Sequence, residues 1–349
     1  MRNTHKQPFY QKLSLTLLSL VLIVVILRTT KEILAPVAFG FLFALLLLPI
    51  AQGLERLRVP RGLAATLAVL IFVICMLGLL YFISWQTTNF LSDLPTLERN
   101  LMAQANQLTI WIDEKFSIDS DQQIAWINDT AAKSITTVSQ FAVNTLSSLS
   151  SLVLFLVFIP LYTFFLLYYR KLLVVFLLKL FRREHADEVH DVISKTRVVV
   201  KSYVVGLFIE MVVVAALYIT ALLLLGVKYA VLLGTIGAIF NVIPYIGMVI
   251  TIIITVLVTL TTGTLSQALW AALALFLIHL LDANVLLPRI VGSKVSINAM
   301  ITLLGVFVGS MIWGIAGMFI SIPAMALLKV VFDRIPNMKP WGILMGSGE

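Results

Sequence analysis

The sequence has few charged residues and almost no cysteine. Only 12% of its 349 residues are Asp, Glu, Lys or Arg, roughly half the share of a soluble domain, whereas 60% are hydrophobic. This deficit of charge excludes an ordinary soluble protein and indicates an integral membrane protein. The single cysteine, Cys75, excludes an intrachain disulfide and a cysteine-based metal site.

The sequence also lacks the short motifs of ATP hydrolysis and of hydrolytic catalysis. It contains no phosphate-binding G-x-x-x-x-G-K-[ST] loop, no HExxH and no GxSxG. We therefore predict no enzyme activity, no cofactor and no metal site, and we expect an ion gradient to supply energy for any transport. The net charge of +8 follows from membrane topology, so nucleic acid is not an expected partner.

Long apolar runs occupy most of the chain, and a membrane-spanning helix needs about 20 such residues. We predict an all-α fold, a polytopic helical membrane protein with about eight membrane segments. Some segments are broken or re-entrant, and a small extracytoplasmic helical insert interrupts them. The predicted segments are Leu13 to Leu27, Ile33 to Ile50, Leu63 to Trp85, Leu149 to Tyr169, Ser202 to Leu225, Tyr229 to Leu260, Leu265 to Leu281 and Met300 to Val331.

These segments divide the chain into four consecutive parts. Residues 1–85 hold three spans, 86–148 the insert, 149–201 the fourth span with a cytoplasmic interfacial helix, and 202–349 the transport region with its broken helices and a long final unit. Basic residues cluster before the first span, after the second and after the last, which predicts that both termini are cytoplasmic. The insert holds seven acidic and three basic residues, as expected outside the cytoplasm.

The insert and the interfacial helix carry apolar residues at helical spacing. In the insert these positions run from Leu94 to Ile112 and from Ile124 to Ala142, which predicts two amphipathic helices. Their apolar faces need a partner, either their own chain or a neighbouring subunit. The sequence leaves both alternatives open.

The stretch GTIGAIFNVIPYIG places Asn241, Pro244 and Gly247 inside an apolar run. Proline removes a backbone donor and breaks a helix, and such breaks in a membrane tend to line a cavity. The final unit has a weaker echo in WGIAGMFISIP, with Gly314, Gly317 and Pro323. Paired interruptions of this kind point to a transporter's binding site. The alternative is a pair of proline kinks with glycines for close packing.

Two acidic residues lie within or at the end of predicted spans. Glu210 is eight residues past Ser202, about 12 Å along the helix axis, well inside its span. An ionisable group at that depth is a candidate proton or cation carrier, although a neutral Glu that bridges two helices is the alternative. Asp282 shares a helix face with His279, so the two form either a relay or an interfacial pair. We assign ion coupling to Glu210 and Asp282.

Polar residues recur in DANVLLPRIVGSK, where Asn284 and Arg289 stand in otherwise apolar sequence. The guanidinium group offers a fixed fork of donors, and the amide offers both a donor and an acceptor. These side chains suit a small oxygen-rich solute. We therefore predict that Asn241, Pro244, Gly247, Asn284 and Arg289 bind substrate.

The run KSYVVGLFIEMVVVAALYITALLLLGVKYAVLLGTIGAIFNVIPYIG, followed by DANVLLPRIVGSKVSI and GIAGMFISIPAMALLK, resembles the autoinducer-2 exporter family of bacterial inner-membrane proteins. The ordered motifs IPYIG, N-x-x-x-PRIVG and GIAGMF are specific together. Asn241, Pro244 and Gly247 match the first motif, and the second is matched by Asn284, Pro288, Arg289 and Gly292. The chain departs where the family often has a Leu-x-Pro-Leu-like run, since Ser296 and Ile297 lead into Asn298 here.

The resemblance implies a homo-oligomeric secondary transporter in the bacterial inner membrane, and it suggests a pentamer. It also implies export of the quorum-sensing furanone autoinducer-2, or exchange of Na⁺ or Li⁺ for protons. We rank three functions: an exporter of a small polar solute, a Na⁺(Li⁺)/H⁺ antiporter, and a non-transporting oligomeric scaffold. The expected partners are the lipid bilayer and either the solute or Na⁺, Li⁺ and H⁺.

Overall fold

The computed structural model describes residues 8–116, 140, 143, 157–181, 186–243, 246–290 and 297–346. Every regular element in these stretches is helical. The helices are α1 (Phe9–Thr29), α2 (Lys31–Arg56), α3 (Arg61–Phe116), α4 (Val157–Tyr168), α5 (Arg170–Leu180), α6 (Ala186–Leu224), α7 (Ala230–Asn241), α8 (Ile246–Thr262), α9 (Leu265–Leu281), a π-helical turn (Asp282–Leu286), α10 (Leu287–Ile290), α11 (Ala299–Trp313), α12 (Ile315–Arg334), a 3₁₀ turn (Pro336–Met338) and α13 (Lys339–Met345).

Six helices among the described residues are long and apolar enough to cross a membrane, and a seventh span results if α4 and α5 count as one bent unit. Three shorter apolar helices, α7, α8 and α11, accompany them. The fold prediction is therefore confirmed: this is a polytopic, multi-pass helical membrane protein with broken segments. The sequential four-part division of the chain stays a prediction.

Two helices are longer than the sequence pattern predicts. Helix α3 has 56 residues and continues past Trp85 through the first predicted insert helix, and α6 has 39 residues and joins the predicted interfacial helix to the following span. No glycine or proline stands next to Trp85 or next to the junction of Lys201 and Ser202. The sequence therefore supplies no helix breaker at either point. The second predicted insert helix falls in 117–156, where only residues 140 and 143 are described.

Helix ends form where the sequence supplies suitable capping residues. Helix α6 ends at Leu224 and is followed by Gly226 in a left-handed conformation with φ of 69°, and the Val227 N–H donates to the Leu222 carbonyl, as in a Schellman motif. Helix α9 begins at Thr264, whose hydroxyl accepts from the Gln267 N–H at 3.2 Å. Asn298 caps α11 in the same way, accepting from the Ile301 N–H at 2.9 Å.

The chain divides into two compact units, of which the first comprises Met1–Ala65, Phe158–Val200 and Ser296–Glu349. Here α11 and α12 form a helical hairpin, since the backbones of Gly309 and Gly317 meet so closely that neither position has room for a Cβ. The break lies at Gly314, which has a φ of 64°, while Pro323 stays inside α12. Neighbouring helices make an internal proline tolerable in membrane helices. In this final unit, the glycines therefore serve close packing.

The second unit comprises Thr66–Val157 and Lys201–Val295. Its apolar core joins α6, α7, α8 and α9 through residues that include Val214, Leu233, Val258 and Leu275. The break predicted near Asn241 is present, because α7 ends at that residue and α8 begins at Ile246. Helices α7 and α8 pack against each other as a hairpin, and each is shorter than the about 20 residues that a full crossing needs.

Candidate functional site

A buried stripe on α6 carries the first candidate residue. Buried side chains recur every three or four positions on this helix, at Val200, Tyr203, Val204, Leu207, Glu210, Val214, Tyr218 and Leu222. Glu210 is only 4% exposed, so an acidic group replaces an apolar one on the face that α6 buries in the core. Removing a carboxyl group from water is costly unless it is neutral or hydrogen-bonded. Its partners therefore decide what it can do.

The π-helical turn after α9 carries the second candidate, Asp282, which is 3% exposed. In this turn the Leu287 N–H donates to the Asp282 carbonyl, five residues earlier. An ordinary α-helix would place the ring of Pro288 against the Asn284 carbonyl, and the wider turn lies just before that proline. Turns of this kind occur often at functional sites, and this one begins at the buried acid.

Helix α7 brings the third candidate to the same place. The Asn241 Nδ2 group donates a hydrogen bond to Asp282 Oδ2 at 2.7 Å, and the carboxyl group of Glu210 lies within interaction range of that of Asp282. We call these three residues the carboxyl cluster. The structure thus brings together side chains that are far apart in the sequence, since Asn241 is 31 positions after Glu210 and Asp282 is 41 positions after Asn241.

The described residues supply too few hydrogen-bond donors to satisfy both acids of the cluster in their ionised forms. Neither Glu210 Oε2 nor Asp282 Oδ1 has a hydrogen-bond partner among the described residues, and no Lys or Arg in those stretches pairs with either acid. Two buried carboxyl groups so close together disfavour a double negative charge, and one proton relieves that repulsion. Asp282 is the acid of the pair that accepts a hydrogen bond from Asn241.

A threonine stripe on α8 is a feature that our sequence prediction missed. Thr251, Thr255 and Thr259 are spaced by four residues and are at most 4% exposed. The hydroxyl groups of Thr251 and Thr259 donate to the carbonyls of Gly247 and Thr255, both at 2.7 Å, while the Thr255 hydroxyl has no partner among the described residues. Their four-residue spacing in an apolar helix was the signal available in the sequence.

An ionic contact just before α7 fixes the start of this helix. The Lys228 Nζ group donates to Asp93 Oδ2 at 2.7 Å, and the Tyr229 hydroxyl donates to the same oxygen. Tyr229 has a φ of 64°, uncommon for an aromatic residue, and its ring meets Phe90 edge-to-face at 5.3 Å. The Lys228 ammonium and then the Tyr229 hydroxyl lower the pKa of Asp93, and the Asp93 carboxylate raises the pKa of Lys228.

Among the described residues, the other predicted site residues lie outside the carboxyl cluster. Gly247 is buried at the start of α8, where a Cβ would meet the backbone of Phe240 and Asn241, so this glycine allows the hairpin to close. Asn284 is exposed, and its Nδ2 group donates to the Leu280 carbonyl at 2.8 Å. Arg289 is exposed on α10, and Pro244 lies outside the described residues. His279 remains within electrostatic reach of Asp282.

A family model described as AI-2E family transporter matches residues 15–337 of the chain. The chain belongs to the AI-2E transporter family. This AI-2E family member is 26% identical to the AI-2 transport protein TqsA of Escherichia coli K12, over 96% of each chain. It is 23% identical to a putative transport protein of Haemophilus influenzae, over 96% of this chain and 97% of that one. The putative transport protein YrrI of Bacillus subtilis is 31% identical over 33% of this chain and 32% of its own.

Proposed function

We propose that this transporter is an ion-gradient-coupled exporter of a small polar solute, and that the carboxyl cluster is its coupling site. The observation that carries the proposal is the close approach of Glu210 and Asp282, two buried acids with no Lys or Arg partner among the described residues. Ionisable groups inside membrane segments commonly belong to proton relays or ion pathways. Uptake of one proton by such a pair removes the repulsion between its two carboxylates.

The solute proposed is a small oxygen-rich molecule of the autoinducer-2 kind. The printed name of the Escherichia coli relative, an AI-2 transport protein, supports this choice. The exposed positions of Asn284 and Arg289 leave their polar groups available to a solute, separate from the acids that hold the proton. Asn241 belongs to the carboxyl cluster, and Gly247 allows the close packing of α7 and α8 that positions it. We place this activity in the bacterial inner membrane, in a homo-oligomer with both termini in the cytoplasm.

Proton loading would change the contacts of Asn241. With Glu210 protonated, Asp282 is the charged acceptor to which the Asn241 amide donates. When the proton leaves, two negative charges meet and one acid must find another donor or a cation. The hydrogen bond from Asn241 holds the end of α7 to Asp282. A change in the charge of the acid pair would therefore change the strength of this bond. In this proposal, proton release is coupled to movement of the α7–α8 hairpin through the contact between Asn241 and Asp282.

A cation/proton antiporter is the second candidate function. The cluster offers only oxygen groups as acceptors, namely two carboxyls and the Asn241 amide, and small hard cations prefer oxygen ligands. A Na⁺ or Li⁺ ion would neutralise the acid pair as a proton does. Competition between the two ions for one pair would produce exchange.

Reconstituted protein distinguishes these functions. We would impose a pH gradient on proteoliposomes and follow internal pH after adding autoinducer-2, Na⁺ or Li⁺, with wild type and Glu210→Gln. Glu32→Gln, at an exposed position on α2, is the matched control. We expect solute-dependent proton flux in wild type and in Glu32→Gln, and none in Glu210→Gln.

Flux triggered by Na⁺ or Li⁺ alone would favour the antiporter. Undiminished flux in a folded Glu210→Gln protein would contradict the coupling role in either function.

A further inference from the structure

The short helix α5 leaves the end of α4 at a sharp angle. The two helices are bent by 70° at Tyr169, and α5 has 11 residues, or about 16 Å, too few to cross a bilayer. None of its residues is buried, and Leu172, Phe176 and Leu180 form a row in which each is at least 58% exposed. A short apolar helix that turns away from a span suits the boundary between lipid headgroups and acyl chains.

Basic residues gather at this bend from two parts of the same unit. The segments 55–61 and 168–171 hold five basic residues and one acidic residue. These residues are Arg56, Arg58, Arg61, Arg170 and Lys171, with Glu55 as the acid. The segments are in contact, because Arg170 pairs with Glu55 and a Cβ at Gly62 would lie 3.5 Å from the Tyr168 ring. We call these two segments the basic elbow.

The only acid in the basic elbow leaves part of the Arg170 guanidinium unused. Arg170 Nη2 donates to Glu55, while the buried Nη1 has no hydrogen-bond partner among the described residues. Arg61 lies 4.0 Å from the second Glu55 oxygen, which is beyond hydrogen-bond distance. Arg56 and Arg58 are exposed and form no ion pair among the described residues, so their planar guanidinium groups are free to hold a phosphate oxygen.

Aromatic and apolar groups beside these charges point to the depth of a lipid headgroup. Tyr168 and Tyr169 are exposed and meet edge-to-face at 4.8 Å, and Leu57 between two exposed arginines is 76% exposed. Tyr is enriched at membrane interfaces, and basic clusters beside spans attract anionic lipids. We propose that the basic elbow binds the phosphate of an anionic phospholipid, whose acyl chains lie along the apolar row of α5.

Lipid binding by the purified full-length protein tests this site. Phosphatidylglycerol, phosphatidylcholine and inorganic phosphate would each be titrated into the detergent-solubilised protein, with bound lipid counted by native mass spectrometry. Each basic residue near an anionic membrane contributes about 1 kcal/mol, so Arg58→Gln with Arg61→Gln should weaken phosphatidylglycerol binding roughly 30-fold. Lys171→Gln should weaken it about fivefold on the same basis. Arg28→Gln with Arg197→Gln, two exposed positions elsewhere, should leave binding within about twofold.

Several results would overturn the proposal. Equal binding of phosphatidylcholine or inorganic phosphate would remove the anionic lipid as the ligand. Equal loss in the control pair would show a diffuse charge effect, and unchanged binding in a folded Arg58→Gln, Arg61→Gln protein would exclude the basic elbow. The double variant could also keep its lipid binding but dissociate an oligomer in lipid-free detergent. That result would show that a second copy of the chain, and not a lipid, occupies the basic elbow. Lys171→Gln keeps the test valid if the double variant does not fold.

Discussion

A methyl group added at Gly247 would separate the two helices of the α7–α8 hairpin. An alanine Cβ there would lie 2.8 Å from the backbone nitrogen of Asn241 and closer still to the Phe240 carbonyl. Both obstacles are backbone atoms, so no side-chain rotation relieves the clash. Overpacking in a core costs about 1–3 kcal/mol where side chains can adjust, so we expect about 3 kcal/mol or more from Gly247→Ala. The displaced end of α7 would also withdraw Asn241 from Asp282.

Thermal melting in detergent and proton flux in proteoliposomes measure the two consequences. Gly78→Ala is the matched control, because a Cβ at this α3 position meets no atom within 4 Å. Alanine is favoured over glycine in a helix, so the free energy of unfolding of this control should lie within about 1 kcal/mol of the wild-type value. We expect Gly247→Ala to melt earlier and to lose coupled flux. Wild-type melting and flux in Gly247→Ala would refute the close approach of α7 and α8.

Two further predictions concern single polar contacts. Asn241→Ala should lower stability by about 1.5–3 kcal/mol, which is the range for a hydrogen bond to a charged group, and it should impair coupled flux. Asn89→Ala, at an exposed position on α3, is the control and should change neither stability nor flux in the same assays. Asp93→Asn should lower the melting temperature at neutral pH, because the lowered pKa of Asp93 means that its ionised form stabilises the fold. That contribution is present above the unfolded value near pH 4 and disappears as pH falls, so wild type and variant should converge in acid. A difference that persists or grows as the pH falls would contradict the ionic contact with Lys228.

Composition and apolar run length were enough to predict the class of fold. Proline and glycine correctly marked the break after Asn241, because a helix without a donor and with flexible neighbours ends there. The same reasoning failed to find the long helices α3 and α6. Amphipathic and uniformly apolar stretches follow each other within them, and a change of polarity alone does not end a helix.

The carboxyl cluster could be predicted only in part. Depth in a span made Glu210 a candidate, and its position on the helix made Asp282 another. Their contact depends on how α6, α7 and α9 pack, and no local pattern in the sequence records that arrangement. Asn241 was chosen as a substrate residue because it stands beside Pro244, yet its amide contacts an acid.

The end of helix α7 gives the carboxyl cluster a further electrostatic property. Helix α7 ends at Asn241, and the carbonyl end of a helix carries a partial negative charge. This partial charge lies beside the two acids, to which Asn241 contributes one hydrogen bond. Negative ends of helices favour cations, so the surroundings of Glu210 and Asp282 oppose a bare pair of carboxylates and favour loading by a proton or a small cation. Proton-coupled export and cation exchange would therefore draw on the same local field, and the ion that binds more tightly would decide between them.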